Sequence, residues 1–161
     1  GQKDERMEQV VAKTACAFLN ADGGTLVIGV DDAGTPLGLE QDLATMKSPD
    51  LDRYELWLRD LLTASLGQTA AATVGIEFPS APVGEGEERT VCRVTCVPSP
   101  RPVYLRHGRG ASPELWVRSG NSTRQLSVDE ATEYVMHRWP LNLGSSIAAQ
   151  LRAAVRFSEE H

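Results

Sequence analysis

Two short stretches of this 161-residue chain carry side chains whose types and spacing could do chemistry. The first is the acidic pair Asp31-Asp32, set directly after the apolar run Thr25-Leu26-Val27-Ile28-Gly29-Val30. Short carboxylates in a D-D-x-G sequence accept hydrogen bonds from nearby backbone N–H groups and make good turns. A carboxylate projected from the end of a rigid strand is also a hard oxygen ligand of the kind that Mg²⁺ or Mn²⁺ takes, provided partner carboxylates join it. The second stretch is Arg118-Ser119-Gly120-Asn121-Ser122-Thr123-Arg124. Two guanidiniums flank a glycine, an amide and hydroxyls, the groups that bind phosphate oxygens. A polar connection in which Asn121 and Ser122 satisfy the turn's own backbone would use the same residues. Both readings stand on the residues alone.

Other chemistries find less support. The phosphate-loop pattern G-x-x-x-x-G-K-S/T is absent, and Gly23-Gly24 follows a helix and precedes a strand, the wrong order for a phosphate cradle. His107, His137 and His161 lack any nucleophile-elbow context. Cys92 and Cys96 lie four apart in an alternating run, so both face one side of a strand with Val94 between them. Without further His or Cys at ligand spacing they read, with Cys16, as buried inert thiols in a reducing compartment.

The formal charge of −6 argues against a uniformly basic nucleic-acid binder, but its distribution is uneven. Residues 1–60 hold 6 Lys/Arg against 12 Asp/Glu. Residues 101–128 hold five arginines (Arg101, Arg106, Arg109, Arg118, Arg124) against Glu114 alone, a local balance of +4. That segment is a candidate electrostatic footprint.

The elements that must position these groups follow from periodicity. Met7, Val10, Val11, Thr14, Ala17 and Phe18 recur at helical spacing, which predicts an amphipathic helix over residues 4–20 that the Asp22-Gly23-Gly24 turn ends. Thr25 to Val30 reads as a buried central strand, with Thr35 to Leu39 as its hairpin partner. Ser48-Pro49-Asp50 opens a second helix to about Leu66, with Gly67 past its end. Ala71 to Phe78 and Thr90 to Val97 read as strands joined by an exposed loop, Ser80 to Arg89. Val103 to Arg106 and Glu114 to Arg118 read as short strands around the tip Arg106-His107-Gly108-Arg109-Gly110. Ser127-x-x-Glu130 is a capping box for a helix up to Trp139, and Ser146 to Phe157 reads as a last helix with Ile147, Leu151 and Val155 on one side.

This order predicts an α+β fold with a mixed, mainly antiparallel sheet and flanking helices. The expected organisation is a main domain over residues 1–143 and a helical extension over 144–161. The apolar share of 41% and charged share of 24% are those of a globular protein. No run reaches the ~18 apolar residues that span a bilayer and no signal-peptide pattern opens the chain, so a cytoplasmic protein without a membrane partner is expected.

Taken together, A-F-x-N-x-x-G-G-x-L-x-I-G-V-D-D-x-G from Ala17 and V-R-x-G-N-S-T-R from Val117 closely resemble the Schlafen-type AlbA-like domain. The likeness runs from about Lys13 to Tyr134. It implies an AlbA-like α+β fold that binds nucleic acid, DNA or RNA, in regulation or defence. On that reading Arg118, Asn121, Ser122, Thr123 and Arg124 meet the phosphate backbone, with Arg106 and Arg109 on a neighbouring tip. In Schlafen nucleases the metal site joins two glutamates of an E-x-x-x-x-E-F-K-type segment to the second aspartate of I-G-V-D-D, which corresponds to Asp32. That glutamate segment should precede the first helix and is not in this sequence; Glu5 and Glu8 are followed by no F-K and are not assigned to it. Asp32 is therefore an incomplete catalytic and metal position, and the resemblance supports binding over cleavage. The expectation is no cofactor for the chain as it stands, with Mg²⁺ or Mn²⁺ if upstream glutamates exist. The rival readings are a metal-dependent (ribo)nuclease and an oligomerisation module. The narrow apolar stripe of the last helix calls for a partner surface, either its own domain or a second subunit; the resemblance, through the pairing of related nucleic-acid domains into a two-lobed groove, implies a homodimer.

Overall fold

Apolar side chains at helical spacing fold the first segment into α1 (Gln2–Leu19), which buries Val11, Ala15, Cys16 and Leu19 on one side. The structure is a computed structural model that describes residues 2–31, 35–39 and 50–140. The chain divides into two units, Gly1–Leu126 and Ser127–His161.

In the first unit, β1 (Gly24–Ile28) follows α1 through a turn at Asn20 to Gly23. The next helix, α2 (Leu51–Leu66), starts at Asp50, whose Oδ1 accepts the Arg53 N–H at 2.7 Å, and buries Tyr54, Leu58, Leu62 and Leu66. Gly67, with φ +90°, ends it, and its N–H reaches the Thr63 carbonyl. A short helix α3 (Gln68–Ala72) and strand β2 (Gly75–Glu77) come next. The hairpin β3 (Ser80–Pro82) and β4 (Glu88–Thr90) leads into β5 (Cys92–Cys96).

The main sheet is antiparallel in the order β1-β5-β2, with Ile28 opposite Cys92, Gly24 opposite Cys96 and Gly75 opposite Thr95. The period-2 geometry turns Cys92, Val94 and Cys96 to one face, where they join α1 and α2 in a single core with Ile28, Leu39, Val74, Val103 and Leu105. Two helices on one face of an antiparallel sheet make an α+β domain. The three cysteines are free and buried, and burial pushes the Cys16 and Cys92 thiols up to about 12, which keeps them inert.

Several expected elements take another form. Among the described residues β1 pairs only with β5, so the central strand is β5 and β1 stands at the edge. The run Thr25-Leu26-Val27-Ile28, strand-forming on both faces, hides its alternation: Ile28 is buried while Thr25 and Val27 face outward. The hairpin partner reduces to one bridge, Val30 with Pro36, since proline has no N–H for a ladder. Leu37 and Gly38 instead both donate to the Gly29 carbonyl, and Leu39 enters the core. Ala71 lies in α3 rather than a strand, because Gln68-Thr69-Ala70-Ala71-Ala72 has high helix propensity and Arg59 Nη1 caps the carbonyls of Ala71 (2.8 Å) and Val74 (2.7 Å). The expected loop at 80–89 is the β3–β4 hairpin, its Pro, Gly and Glu content masking the pairing. Val103 to Arg106 contributes a single bridge, Leu105 with Glu114, instead of a strand.

In the second unit, α4 (Val128–Arg138) carries its capping box: the Glu130 carboxylate accepts the Ser127 N–H at 3.2 Å. The last helix expected at 146–157 lies outside the described residues, and Ile147, Leu151 and Val155 with it.

One buried polar side chain ties the first unit together. Asn20 is 0% exposed; its Oδ1 accepts the Val103 N–H at 2.8 Å, and its Nδ2 donates to the carbonyls of Val103 (2.8 Å) and Trp116 (2.9 Å). Removing it strips the side-chain partner from the Val103 N–H and the Trp116 carbonyl and leaves the Val103 carbonyl only a weak thiol donor, so Asn20→Ala is expected to cost about 2–4 kcal/mol. Asn20→Asp should fare no better near neutral pH, since it keeps an acceptor but sets a negative charge against two carbonyls. Urea unfolding measures both; a midpoint for either variant within error of wild type would contradict this account.

Candidate nucleic-acid interface

The Val117-Arg118-x-Gly120-Asn121-Ser122-Thr123-Arg124 motif is not a loop but a β-hairpin. Strand β6 (Trp116–Ser119) pairs with β7 (Ser122–Gln125), with Arg118 opposite Thr123 and Val117 opposite Arg124. The connection is Gly120-Asn121, and Gly120 has φ +61°, the geometry for which a two-residue hairpin turn puts glycine first. Directly paired residues share a face, so Arg118 and Arg124 project from opposite faces of the ribbon. The two arginines expected to meet a phosphate backbone thus stand on different faces of the hairpin.

The face that carries Arg118 packs on α1. The Arg118 guanidinium carbon stands 5.3 Å from the Phe18 ring centroid, its Nη1 donates to Thr123 Oγ1 at 2.7 Å, and its Nε donates to the Gly120 carbonyl at 3.3 Å. One position along the same face, Lys13 Nζ lies 4.8 Å from the Trp116 ring centroid. Phe18 is itself seated by a glycine: a Cβ on Gly24 would lie 2.6–2.9 Å from three atoms of the Phe18 ring. Gly23 is equally constrained, with φ +81° and a would-be Cβ 2.6 Å from the Cys96 carbonyl oxygen. The A-F-x-N-x-x-G-G motif thus holds the hairpin of the second motif, and the two motifs meet in space.

Around Glu114 the charge is already spoken for. Its Oε1 accepts Trp116 Nε1 at 2.9 Å and lies 2.8 Å from His107 Nε2, which closes the base of the 106–113 tip above the Leu105–Glu114 bridge. Burial alone would raise this carboxyl; the bonds from Trp116 and His107, with the charges of His107 and Lys13, bring it below the usual carboxylate range. Arg109 is exposed at the tip between Gly108 and Gly110. Arg106 is exposed beside Tyr104, on the outward side of an extended segment whose Val103 and Leu105 point into the core. Asn121, Ser122 and Arg124 are exposed, while Thr123 is half-buried by its bond to Arg118.

Of the acidic pair, Asp31 forms the turn: its Oδ1 accepts the Thr35 N–H at 2.8 Å, and its own N–H donates to the Thr35 carbonyl at 3.0 Å. Asp32 lies outside the described residues. Among the described residues no three His, Cys, Asp or Glu side chains gather to hold a metal ion, and no helix is long and apolar enough to cross a membrane. Glu8, close to where a nuclease glutamate segment would lie, accepts the Trp57 Nε1–H at 3.3 Å.

The architecture defines an α+β domain in which a cation-bearing hairpin is fastened to the first helix. A family profile described as Schlafen, AlbA_2 matches residues 1–127, and the chain belongs to that family. Among solved structures, the DIP2311 protein from Corynebacterium diphtheriae is similar over 83% of this chain, at 21% identity and a TM-score of 0.50. This chain spans 22% of the length of that protein, and the likeness is one of fold. No curated protein matches the chain.

Glu114 supplies a pH test of the tip. Because its folded-state value is depressed, its contribution to stability is fully present above the ordinary carboxylate range and is lost as pH falls through the folded value. The stability gap between wild type and Glu114→Gln should therefore be widest near neutral pH and shrink on acidification. Thermal unfolding across pH reads it; a gap independent of pH would refute the assignment.

Proposed function

We propose that this domain binds nucleic acid through its phosphate backbone, using the surface built from residues 101–124. The observation that carries the proposal is the charge of that surface. Five arginines in the segment face one acid, Glu114, whose carboxylate is already engaged by His107 and Trp116. The segment thus carries an excess of guanidiniums on an otherwise acidic chain, spread over the tip, its base and both faces of the hairpin, and guanidinium forks match phosphate oxygens.

The roles differ along the patch. Arg109, exposed at the tip, and Arg124, exposed on β7, make contacts that neutralise phosphates without reading bases. Asn121 and Ser122 offer short polar groups at the hairpin turn. Arg118 directs a guanidinium that is already anchored by Thr123 and Phe18, so it acts as a preorganised donor and as a fastening of the hairpin. Family membership supports the reading. A homodimer would set two such patches on one ligand, and the mass in solution by light scattering tests that. If glutamates of the nuclease type stand upstream of this sequence, Asp32 is the position that would join them around Mg²⁺ or Mn²⁺; cleavage lost in Asp32→Asn would then reveal it.

The variant Arg109→Ala with Arg124→Ala should bind every sequence more weakly and flatten the salt dependence by a slope of ~1 per lost contact. Arg118→Ala should weaken binding and also lower the unfolding midpoint, since it releases the hairpin. A folded double variant with unchanged affinity and unchanged salt slope would overturn the proposal.

A further inference from the structure

Beside the tip lies a cleft of about 350 Å³ whose walls include Arg101, Tyr104, Arg106, Gln68, Thr69 and Thr73. No carboxylate lines it. Tyr104 is 40% exposed, the one aromatic ring among the large hydrophobic side chains left exposed in the described residues. It is held there by its neighbours in the chain, because Val103 (4% exposed) and Leu105 (1%) anchor the extended segment and turn residues 104 and 106 outward together. Among the described residues neither the Arg101 nor the Arg106 guanidinium has a hydrogen-bond or ion-pair partner. The backbone beneath them is fixed: Arg106 N–H donates to the Ser65 carbonyl at 2.9 Å, and Ser99 Oγ donates to the Arg101 carbonyl at 2.6 Å.

We infer that this cleft is a subsite for one unpaired nucleotide of a single strand, its base stacked on Tyr104 and its phosphates held by Arg101 and Arg106. The inference rests on the nucleic-acid reading above and narrows it to single-stranded ligands at this position. The volume lies at the low end of the roughly 300–1,000 Å³ typical of small-molecule clefts, which suits one base and its sugar. An aromatic face flanked by cations is how single strands are bound without sequence preference, since every base has a π-face and every linkage a phosphate. A base paired within a duplex has no face free to lie on Tyr104. Gln68, Thr69 and Thr73, which also line the cleft, supply polar groups for the edge of the base.

The test measures binding of a single-stranded oligothymidylate about 12 nucleotides long, and of a mixed-sequence duplex of the same length, to the whole chain at low salt. Tyr104→Ala should weaken the single strand roughly ten-fold or more and leave the duplex unchanged, while Tyr104→Phe should bind both as wild type does. Arg101→Ala with Arg106→Ala should weaken the single strand and flatten its salt dependence. A folded Tyr104→Ala protein with undiminished single-strand affinity would overturn the subsite, as would equal losses on strand and duplex. Thymidine monophosphate competing at the oligomer's own concentration would make the ligand a free nucleotide and overturn the strand assignment. Wild-type protein that binds neither probe would instead sink the broader nucleic-acid reading, and the subsite with it.

Discussion

The first unit hangs on the amide of Asn20. It closes the C-terminal end of α1, and its three polar contacts reach the 103 segment and the start of β6, more than eighty residues away in sequence. An amide is the one short side chain that fits: it presents an acceptor to the Val103 N–H and two donors to two carbonyls at once. Full burial makes each contact count, because water cannot replace it. Cys16, one turn earlier, adds a weak donor to the Val103 carbonyl at 3.3 Å. The 103 segment and the start of β6 are therefore docked on α1 through backbone groups, while the side chains of Arg106, Arg109 and Asn121 are exposed.

From that anchor the geometry propagates along the motif. The glycine at 24 lets the Phe18 ring lie against β1, Phe18 gives Arg118 a surface, and Arg118 holds Thr123 across the hairpin. Lys13 on Trp116 repeats the arrangement one step along. A flexible arginine would give up rotamer entropy on meeting a phosphate; one already ordered against a ring and a hydroxyl has lost most of it on folding. Motif residues that look like a binding site in sequence thus divide into those that build the ribbon, Arg118 and Thr123, and those exposed on it, such as Asn121 and Ser122.

That division explains what the sequence could and could not show. Helices α1, α2 and α4 were legible, since Val11, Cys16, Tyr54, Leu58 and Leu62 repeat at helical spacing and Asp50, Gly67 and Ser127 mark ends by well-understood capping chemistry, while the five-residue α3 was not. The likeness to the family rested on two motifs and reached the right fold. Strand order was not legible: β1 reads as central because its outward Thr25 and Val27 are as β-branched as its inward Ile28. The β3–β4 hairpin was invisible for the opposite reason, its turn chemistry outweighing three-residue strands. Within the candidate site, composition singled out the arginines, but the register that puts Arg118 and Arg124 on opposite faces depends on where the turn falls. Reading Gly120-Asn121 as a two-residue hairpin connection would have found it. Tyr104 carried a signal too, in the alternation Val103-Tyr104-Leu105-Arg106, which sets an aromatic and a cation on one side of an extended segment.

The nucleic-acid binding proposed for this acidic chain requires a physical reason why its net charge is no bar. Screening supplies part of it: at physiological salt the Debye length is about 8 Å, so a phosphate at the hairpin senses the arginines within reach and little of the distant carboxylates. The rest is local neutralisation. Glu114 is the acid that would do most harm, lying inside the basic segment, and Lys13, His107 and the Trp116 N–H all converge on it. Lys13 thereby acts on two neighbours: it lies over the Trp116 ring, which fastens the hairpin to α1, and its charge favours the ionised Glu114 carboxylate. The excess acid of residues 1–60 still matters in one respect. Lowering the salt lengthens its reach along with that of the arginines, so attraction and repulsion grow together. Specific contact at the tip, rather than long-range steering by the whole chain, is then what such a domain has to rely on for affinity.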